Sequence, residues 1–395
     1  MTLFHGSEAS LYKKNLILGF CLGSSHKRAW EALIVYSQVN TLIFYKNKIG
    51  KIMMRVTSKI NETSPATFLN KLTRRTFLVA ASTIAVSLGF AGSANAATTL
   101  KWAHVYETGS AYHEALLWAA DEIEKQTEGR VKINAYPASS LGKEAELSEA
   151  LDFGAVDIIY TGDIFAGQTY APMRISSFPF AIRDFDHWKH YRDSSLYKNI
   201  TSEYEKQTGH DVAGFTYYGS RHVTSNFPIT KPQDMEGMKI RVPNAPLYLM
   251  FPQAVGANPT PIPFSEVYLA LQMGVVDGQE NPLPTIKFKK FYEVQKYINL
   301  TGHMTNSVFT MISSYTKNKV SSDDYKTIVS ITNQAASKAS EAINESEQNL
   351  VSWFKDQGVI VQEVNKQPFV DAIQPLLNSQ DNGFTAEQLA ELEAL

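Results

Sequence analysis

Between Thr98 and Gly162, apolar positions switch repeatedly between two periods. "TTLKWAHV" and "VDIIYTG" are short apolar runs and "RVKINAYP" alternates up to Pro137, so all three predict strands. Between them, "AYHEALLWAADEIEKQT" repeats its apolar residues at helical spacing, with Ser110 placed to cap it and Gly129 to end it. "KEAELSEALDFG" predicts a second helix. Strand, helix, strand, helix, strand is the order of an α/β layer with parallel strands.

The pattern then changes. "HDVAGFTYYGSRHVTSNFPI" reads as strand broken at Gly219, and "MKIRVP" and "HMTNSVFTMISS" as further strands. "APLYLMFPQAVG" and "PFSEVYLALQMG" predict helices that stop at Gly256 and Gly274. From Ser321 to about Gln357 the chain is polar, alanine-rich and almost free of helix breakers, which predicts one long helix or two in line. A helix of that length rises on the order of 50 Å, enough to run along two lobes and link them.

Ahead of this globular part lies a different polypeptide. "TRRTFLVAASTIAVSLGFAGSANA" (Thr73–Ala96) has an arginine pair, an apolar run from Phe77 to Phe90 and an Ala94-Asn95-Ala96 cleavage motif. The run is shorter than the roughly 18–20 residues that span a bilayer, so it reads as an export signal of the twin-arginine type rather than an anchor. Such signals begin a chain, so residues 53–96 are expected to be the signal peptide, starting at Met53 or Met54. Residues 1–52 are then an over-long translation. "ALIVYSQVNTLIFY" within them is apolar but too short and too interrupted to cross a membrane.

Charge separates the same two parts. Met1–Ala96 carries 12 Lys+Arg against 3 Asp+Glu, leaving 25 against 36 in the rest. The whole-chain charge of −2 therefore hides a basic leader and an acidic mature protein, a poor partner for nucleic acid or anionic lipid. The only cysteine, Cys21, lies in the leader, so the mature chain has no disulfide, thiolate metal site or cysteine nucleophile. No hydrolase elbow, zinc-protease helix, phosphate-cradling loop or dinucleotide fingerprint occurs. His187 and His190 in "DHWKH" have helical spacing, but no further ligand completes a metal set. His104 and His113 are too far apart in sequence to form a local pair. No metal and no cofactor is implied.

The informative window is Gly237–Pro282, with "KIRVPNAP", "GANPTPIPFSEVYLALQ" and "VDGQENP". These three segments, in register, resemble the core of the extracytoplasmic solute-binding proteins of tripartite ATP-independent periplasmic (TRAP) transporters, the DctP type. "YPASSLG", "GAVDIIY", "SFPFAI" and "YYGSRHVTSN" extend a weaker resemblance over nearly the whole mature chain. The resemblance implies an α/β, two-lobed periplasmic binding fold (type II-like) with a long helix spanning both lobes. Lobe I would comprise 97–218 plus about 307–346, and lobe II 219–306 plus about 347–395. Such a protein captures a small organic acid in the periplasm, closes on it, and passes it to TRAP membrane permease subunits, acting without catalysis and as a monomer.

Carried onto this sequence, the family's carboxylate-pairing arginine falls on Arg241. A second arginine used by sialic acid-binding members falls on Arg221, and the pocket asparagine on Asn281. Further pocket positions fall on Asn244, Phe264 and His303. These residue types suit carboxylate capture, since a guanidinium is always charged and its planar fork matches a carboxylate with two hydrogen bonds. Pro243 stiffens the backbone beside Arg241, and Pro282 holds Asn281 extended. Phe264 offers an apolar face to a carbon skeleton. Each has a plainer reading: Arg241 in a surface salt bridge, Arg221 flanking a turn, Asn281 as a cap, His303 as a structural histidine.

The sequence departs from the sialic acid binders at two places. Val105 stands where they carry an asparagine, and Gly162 where they carry an acid, with Asp163 beside it. Sialic acid is therefore disfavoured. Glu107, Glu144 and Asp163 are candidates to read sugar hydroxyls, with Glu144 the most readily explained as a solvated charge. The expected ligand is a sugar acid such as a uronate or aldonate, with C4-dicarboxylates next. The alternative function is an exported enzyme acting on acidic sugars, which would have to recruit Glu107, Asp163 or His303.

Overall fold

The computed structural model describes residues 33–36, 41–44, 97–379 and 382–395. The chain divides into two units, Met1–Ala94 and Asn95–Leu395. In the first, β1 (Leu33–Tyr36) and β2 (Thr41–Phe44) pair antiparallel, Leu33 opposite Phe44. The expected signal peptide, and the rest of the expected extension, lie outside the described residues. No helix among the described residues is long and apolar enough to cross a membrane.

The second unit opens as its periodicity predicts. β3 (Thr98–Ala103), β4 (Val131–Tyr136) and β5 (Ile158–Gly162) are parallel, β3 lying between the other two. They are joined by α1 (Ala111–Gln126), capped by the Ser110 hydroxyl accepting the His113 N–H, and α2 (Glu144–Asp152). The short α3 (Asp163–Ala166) and helices α4 (Phe185–Asp193) and α5 (Ser195–Thr208) follow.

Two long strands carry the sheet from one lobe into the other. β6 (Asp211–Ser225) and β10 (Tyr297–Ile312) pair antiparallel along their lengths. One end of β10 pairs with β5 (Val308 to Ile312) and its other end with β11 (Ile360–Glu363). The far end of β6 pairs with β9 (Gly278–Pro282), beyond which lie β7 (Lys239–Val242) and β8 (Asn258–Pro261). The sheet order is β4-β3-β5-β10-β6-β9-β7-β8, with β11 on β10. Gly219 therefore does not break the strand it was expected to break; β6 passes through it with an irregular register.

Two expected helices are shorter than their apolar patterns. "APLYLMFPQAVG" forms a 3₁₀ turn, Pro246–Leu249, before α6 (Met250–Ala254), because Pro246 and Pro252 lack the N–H a continuous helix needs. "PFSEVYLALQMG" likewise yields a 3₁₀ turn, Phe264–Glu266, and α7 (Val267–Gln272). α8 (Leu283–Phe288) follows β9.

The long helix is present in one piece. α9 (Ser322–Asp356) has 35 residues and is capped by the Ser321 hydroxyl, with Asp323 and Asp324 favourably placed in its first turn. Its buried residues Ile328, Ile331, Ala335, Ala339 and Ile343 join the larger apolar core, where α1 and β6 pack on it. Leu350 and Phe354, near its end, join a second core with Leu271, Leu283, Ile286 and Phe291, under α7 and α8. One helix thus contributes to both lobes. α10 (Gln367–Ser379) and α11 (Ala386–Glu393) complete the chain, α10 against α6 and α11 against α5.

Candidate functional site

A cavity of about 310 Å³ opens where the strand ends of the two lobes face each other. Arg241, on β7, lines it and is 1% exposed. Its Nε and Nη2 donate to the Ile262 carbonyl at 2.8 and 2.6 Å, while Nη1 is buried with no hydrogen-bond partner among the described residues. Among the described residues no carboxylate pairs with it. Burial lowers its pKa to about 10, the Glu280 carboxylate acting against the shift and Arg221 adding to it, so at neutral pH it is a desolvated cation in direct contact only with a neutral carbonyl.

Arg221, on β6, also lines the cavity but is fully engaged. Its Nε donates to Glu280 Oε2, its Nη2 to Glu280 Oε1 at 2.7 Å and to the Glu280 carbonyl at 2.6 Å, and its Nη1 to Asn306 Oδ1 at 2.9 Å. Its guanidinium also lies 5.0 Å from the Tyr248 ring. Burial opposes the charge on Glu280, but Arg221 and His303 outweigh it and hold the carboxyl below its ordinary range. His303 does not line the cavity. It stacks on Phe251 at 3.9 Å and approaches Glu280 Oε2 at 3.3 Å, so it supports the ion pair from behind.

The remaining candidates divide. Asn281, Asn244 and Phe264 all line the cavity. Asn281 is buried, accepting from Tyr218 Oη at 3.2 Å and donating to Gln279 Oε1 at 2.6 Å, whereas Asn244 is exposed at the rim. Phe264 is half-buried, edge-on to Tyr106. Glu107 and Asp163 lie elsewhere. Glu107 pairs with Lys289 at 2.6 Å, beside a separate crevice. Asp163 is fully buried, accepting from Ser176 at 3.0 Å, from Ser177 and from the Ile164 N–H at 2.9 Å; burial nonetheless raises its pKa to about 7.

Glu144 corrects the expectation of a solvated charge. The residue is half-buried, but its carboxylate turns into the cavity, accepting the Gly162 N–H at 2.5 Å and the Thr161 hydroxyl at 3.4 Å. Burial raises its pKa to about 7, with Arg241 and Arg221 acting in the opposite direction. Gly162 leaves room for this approach; a Cβ there would lie 3.3 Å from Glu144 Oε1 and oblige the carboxylate to give by a few tenths of an ångström. Val105 and Gly162 both line the cavity.

Residues 102–382 match the family described as bacterial extracellular solute-binding protein, family 7, or DctP. The chain belongs to this family. Sialic acid-binding periplasmic protein SiaP of Vibrio cholerae is 36% identical over 314 residues, 79% of this chain and 98% of that protein. The 2,3-diketo-L-gulonate-binding periplasmic protein YiaO of Escherichia coli is 29% identical, covering 73% of this chain and 89% of its own. A TRAP periplasmic solute binding protein from Polaromonas, bound to D-erythronate, is similar at a TM-score of 0.72 and 31% identity, over 75% of this chain and 99% of that one. Another from Roseobacter denitrificans, bound to L-galactonate, gives 0.70 at 31% identity, over 75% and 97%. This DctP-type protein is accordingly a periplasmic solute-binding receptor of the TRAP class, which is non-catalytic.

Sequence reasoning did not select Tyr106, Tyr218, Tyr248 or Asn306, all of which line the cavity of this DctP-type receptor. Isolated tyrosines and an asparagine inside a strand carry no signal until the fold brings them together. His104 and His113 were set aside for their spacing, yet Nε2 of one lies 3.1 Å from Nδ1 of the other. The Tyr106 N–H donates to His104 Nδ1, so Nε2 of His104 carries the proton toward His113. His187 is buried, its Nε2 2.8 Å from the Leu392 carbonyl. No group of three or more metal-ligating side chains occurs among the described residues.

Proposed function

We propose that this receptor captures a small polyhydroxylated monocarboxylate, an aldonate or uronate, and delivers it to the membrane subunits of a TRAP permease. The observation that carries the reading is the unpaired Nη1 of buried Arg241. A cation already stripped of water, with one donor unmet, favours an incoming carboxylate; a hydrogen bond to a charged group contributes about 1.5–3 kcal/mol. Arg221 is paired with Glu280 and Lys143 with Glu266, so among the described residues lining the cavity Arg241 is the cation that touches no carboxylate, which matches one incoming carboxylate. Glu144, Asn281, Asn244 and Tyr248 supply acceptors and donors for hydroxyl groups, and Phe264 an apolar wall. The cavity is at the small end of ligand pockets, roughly 300–1,000 Å³.

D-Erythronate and L-galactonate, bound by the similar Polaromonas and Roseobacter proteins, are acids of this kind. A C4-dicarboxylate would bring a second charge with no free cation to meet it. Sialic acid, which SiaP of Vibrio cholerae binds by name, would find Val105 and Gly162 in place of polar partners. Lobes are taken to divide near Tyr218 and Gly219 on β6 and near residue 307 on β10, and closure to complete the site.

Calorimetry with D-erythronate, L-galactonate, D-glucuronate, N-acetylneuraminate and succinate tests the reading. A sugar monocarboxylate is expected to bind at micromolar affinity or better, about 8 kcal/mol, and Arg241→Ala to weaken it by at least about 100-fold. Tightest binding of succinate, or wild-type affinity in Arg241→Ala, would defeat it.

A further inference from the structure

Side chains alternate along a strand, so Tyr218 and Arg221, three residues apart, should face opposite sides of a regular sheet. Both line the cavity. The register of β6 against β10 shows how: Gly219 lies opposite Asn306 and Tyr217 opposite Ser307, leaving Tyr218 as an extra residue, a β-bulge. Gly219 has φ +114°, and a Cβ there would collide with Glu347 Oε1 and Pro282 Cβ.

A bulge leaves backbone donors without ladder partners. Here α9 supplies substitutes. The Tyr217 N–H donates to Ser340 Oγ at 3.0 Å, and the Ser220 N–H to Glu347 Oε1 at 2.9 Å. Glu347 Oε2 also accepts from Tyr217 Oη at 2.9 Å. The spacing fits: from Ser340 to Glu347 the helix rises about 10 Å on one face, and from Tyr217 to Ser220 a strand advances about 10 Å. Glu347 also stands between Ile343, in the larger core, and Leu350, in the smaller one.

We propose that α9 is the template for this bulge, with Ser340 and Glu347 as positioning residues that turn Tyr218 and Arg221 together into the ligand cavity. Only the ligand readout of the test rests on the sugar-acid reading. Burial raises the Glu347 carboxyl to about 7, which makes glutamine a close stand-in for its neutral form.

The test takes Glu347→Ala, Glu347→Asp, Glu347→Gln and Ser340→Ala, each examined by crystallography without ligand and by calorimetry with D-erythronate, L-galactonate and D-glucuronate. Glu347→Ala is expected to shift residues 217–220, draw the Tyr218 hydroxyl off Asn281, and weaken the tightest probe by about 10- to 100-fold. Ser340→Ala should do the same to a smaller degree. Glu347→Gln should rescue both geometry and affinity to within about threefold, since it keeps an acceptor for Ser220 and a partner for Tyr217. If the alanine variant does not fold, Glu347→Asp, one methylene too short to reach Ser220, carries the same expectation. An unmoved bulge, or a lowered Tm with unchanged binding, would overturn the proposal. Failure of the sugar-acid reading would look different: no probe bound by the wild type, but the bulge still displaced in the variants.

Discussion

The cavity holds two arginines that are equally buried and differ in their partners. Arg221 is enclosed by Glu280, Asn306 and Tyr248, and its ion pair raises its affinity for the proton despite burial. Arg241 donates its hydrogen bonds to a carbonyl oxygen alone, and burial lowers its pKa although Glu280 acts from a distance to raise it. Folding has completed one site and left the other one partner short. A buried charge that lacks its partner is costly. The protein sustains that cost at Arg241, where an incoming carboxylate would relieve it, and avoids it at Arg221.

The largest effect expected from this comparison is a difference of sign. Arg221→Met strands the Glu280 carboxylate and should cost about 3–5 kcal/mol of folding stability, measured by urea denaturation without ligand. Arg241→Met removes an uncompensated charge and should leave the ligand-free protein as stable as wild type or more so, while abolishing acid binding. Equal destabilisation by both substitutions would erase the distinction. Restoration of stability in Arg221→Met by a second change, Glu280→Leu, would sharpen it.

Much of this architecture was legible in the sequence, for identifiable reasons. The α/β opening and α9 rest on local signals: apolar periodicity, the Ser110 and Ser321 caps, and a run without breakers. Arg241, Arg221 and Asn281 were found because their segments resemble a known core, and all three line the cavity. What stayed hidden depends on partners distant in sequence. Nothing local distinguishes Glu144 from a solvated glutamate, because its environment is set by the bare backbone of Gly162, eighteen residues on. The bulge at Tyr218 depends on α9, and the state of Arg221 on Glu280 across the strand pair. His303 was placed in the family's pocket, and here it acts through Glu280 instead of lining the cavity.

Asp163 extends the comparison to a buried anion. Glu280 is stabilised as a carboxylate by a full counter-charge; Asp163 has only hydroxyl and amide donors, and burial raises its pKa from 3.8 to about 7. Between those values the folded state holds a proton that the unfolded chain has released. Stability from this group is therefore greatest below about pH 4, falls as pH rises to about 7, and is level above, a change of about 2–4 kcal/mol. Asp163→Asn should flatten this part of the profile, read as the difference between wild-type and variant denaturation from pH 4 to 8. Unchanged slopes would mean that hydroxyl donors hold the charge as well as an arginine does.

The smallest effects belong to charges that water already compensates. Two ion pairs join segments distant in sequence near the cavity, Lys143 with Glu266 at its rim and Glu107 with Lys289 beside the neighbouring crevice, both at 2.6 Å. Lys289 is 12% exposed and also lies 5.0 Å from the Phe264 ring, whereas Lys143 and Glu266 are 47% and 53% exposed. If solvation decides what a charge contributes, Lys289→Ala should weaken ligand binding by about three- to fivefold and Lys143→Ala by less than about twofold. Both effects should shrink when calorimetry is repeated in 0.5 M salt, about where the screening length falls toward 4 Å. Double-mutant cycles with Glu107→Ala and Glu266→Ala separate the pair energy from lost packing on Phe264. A larger, salt-resistant effect at Lys143 would mean that the rim is dry in the ligand-bound protein. Burial would then no longer rank these charges, and Arg241 would owe its role to closure rather than to its missing partner.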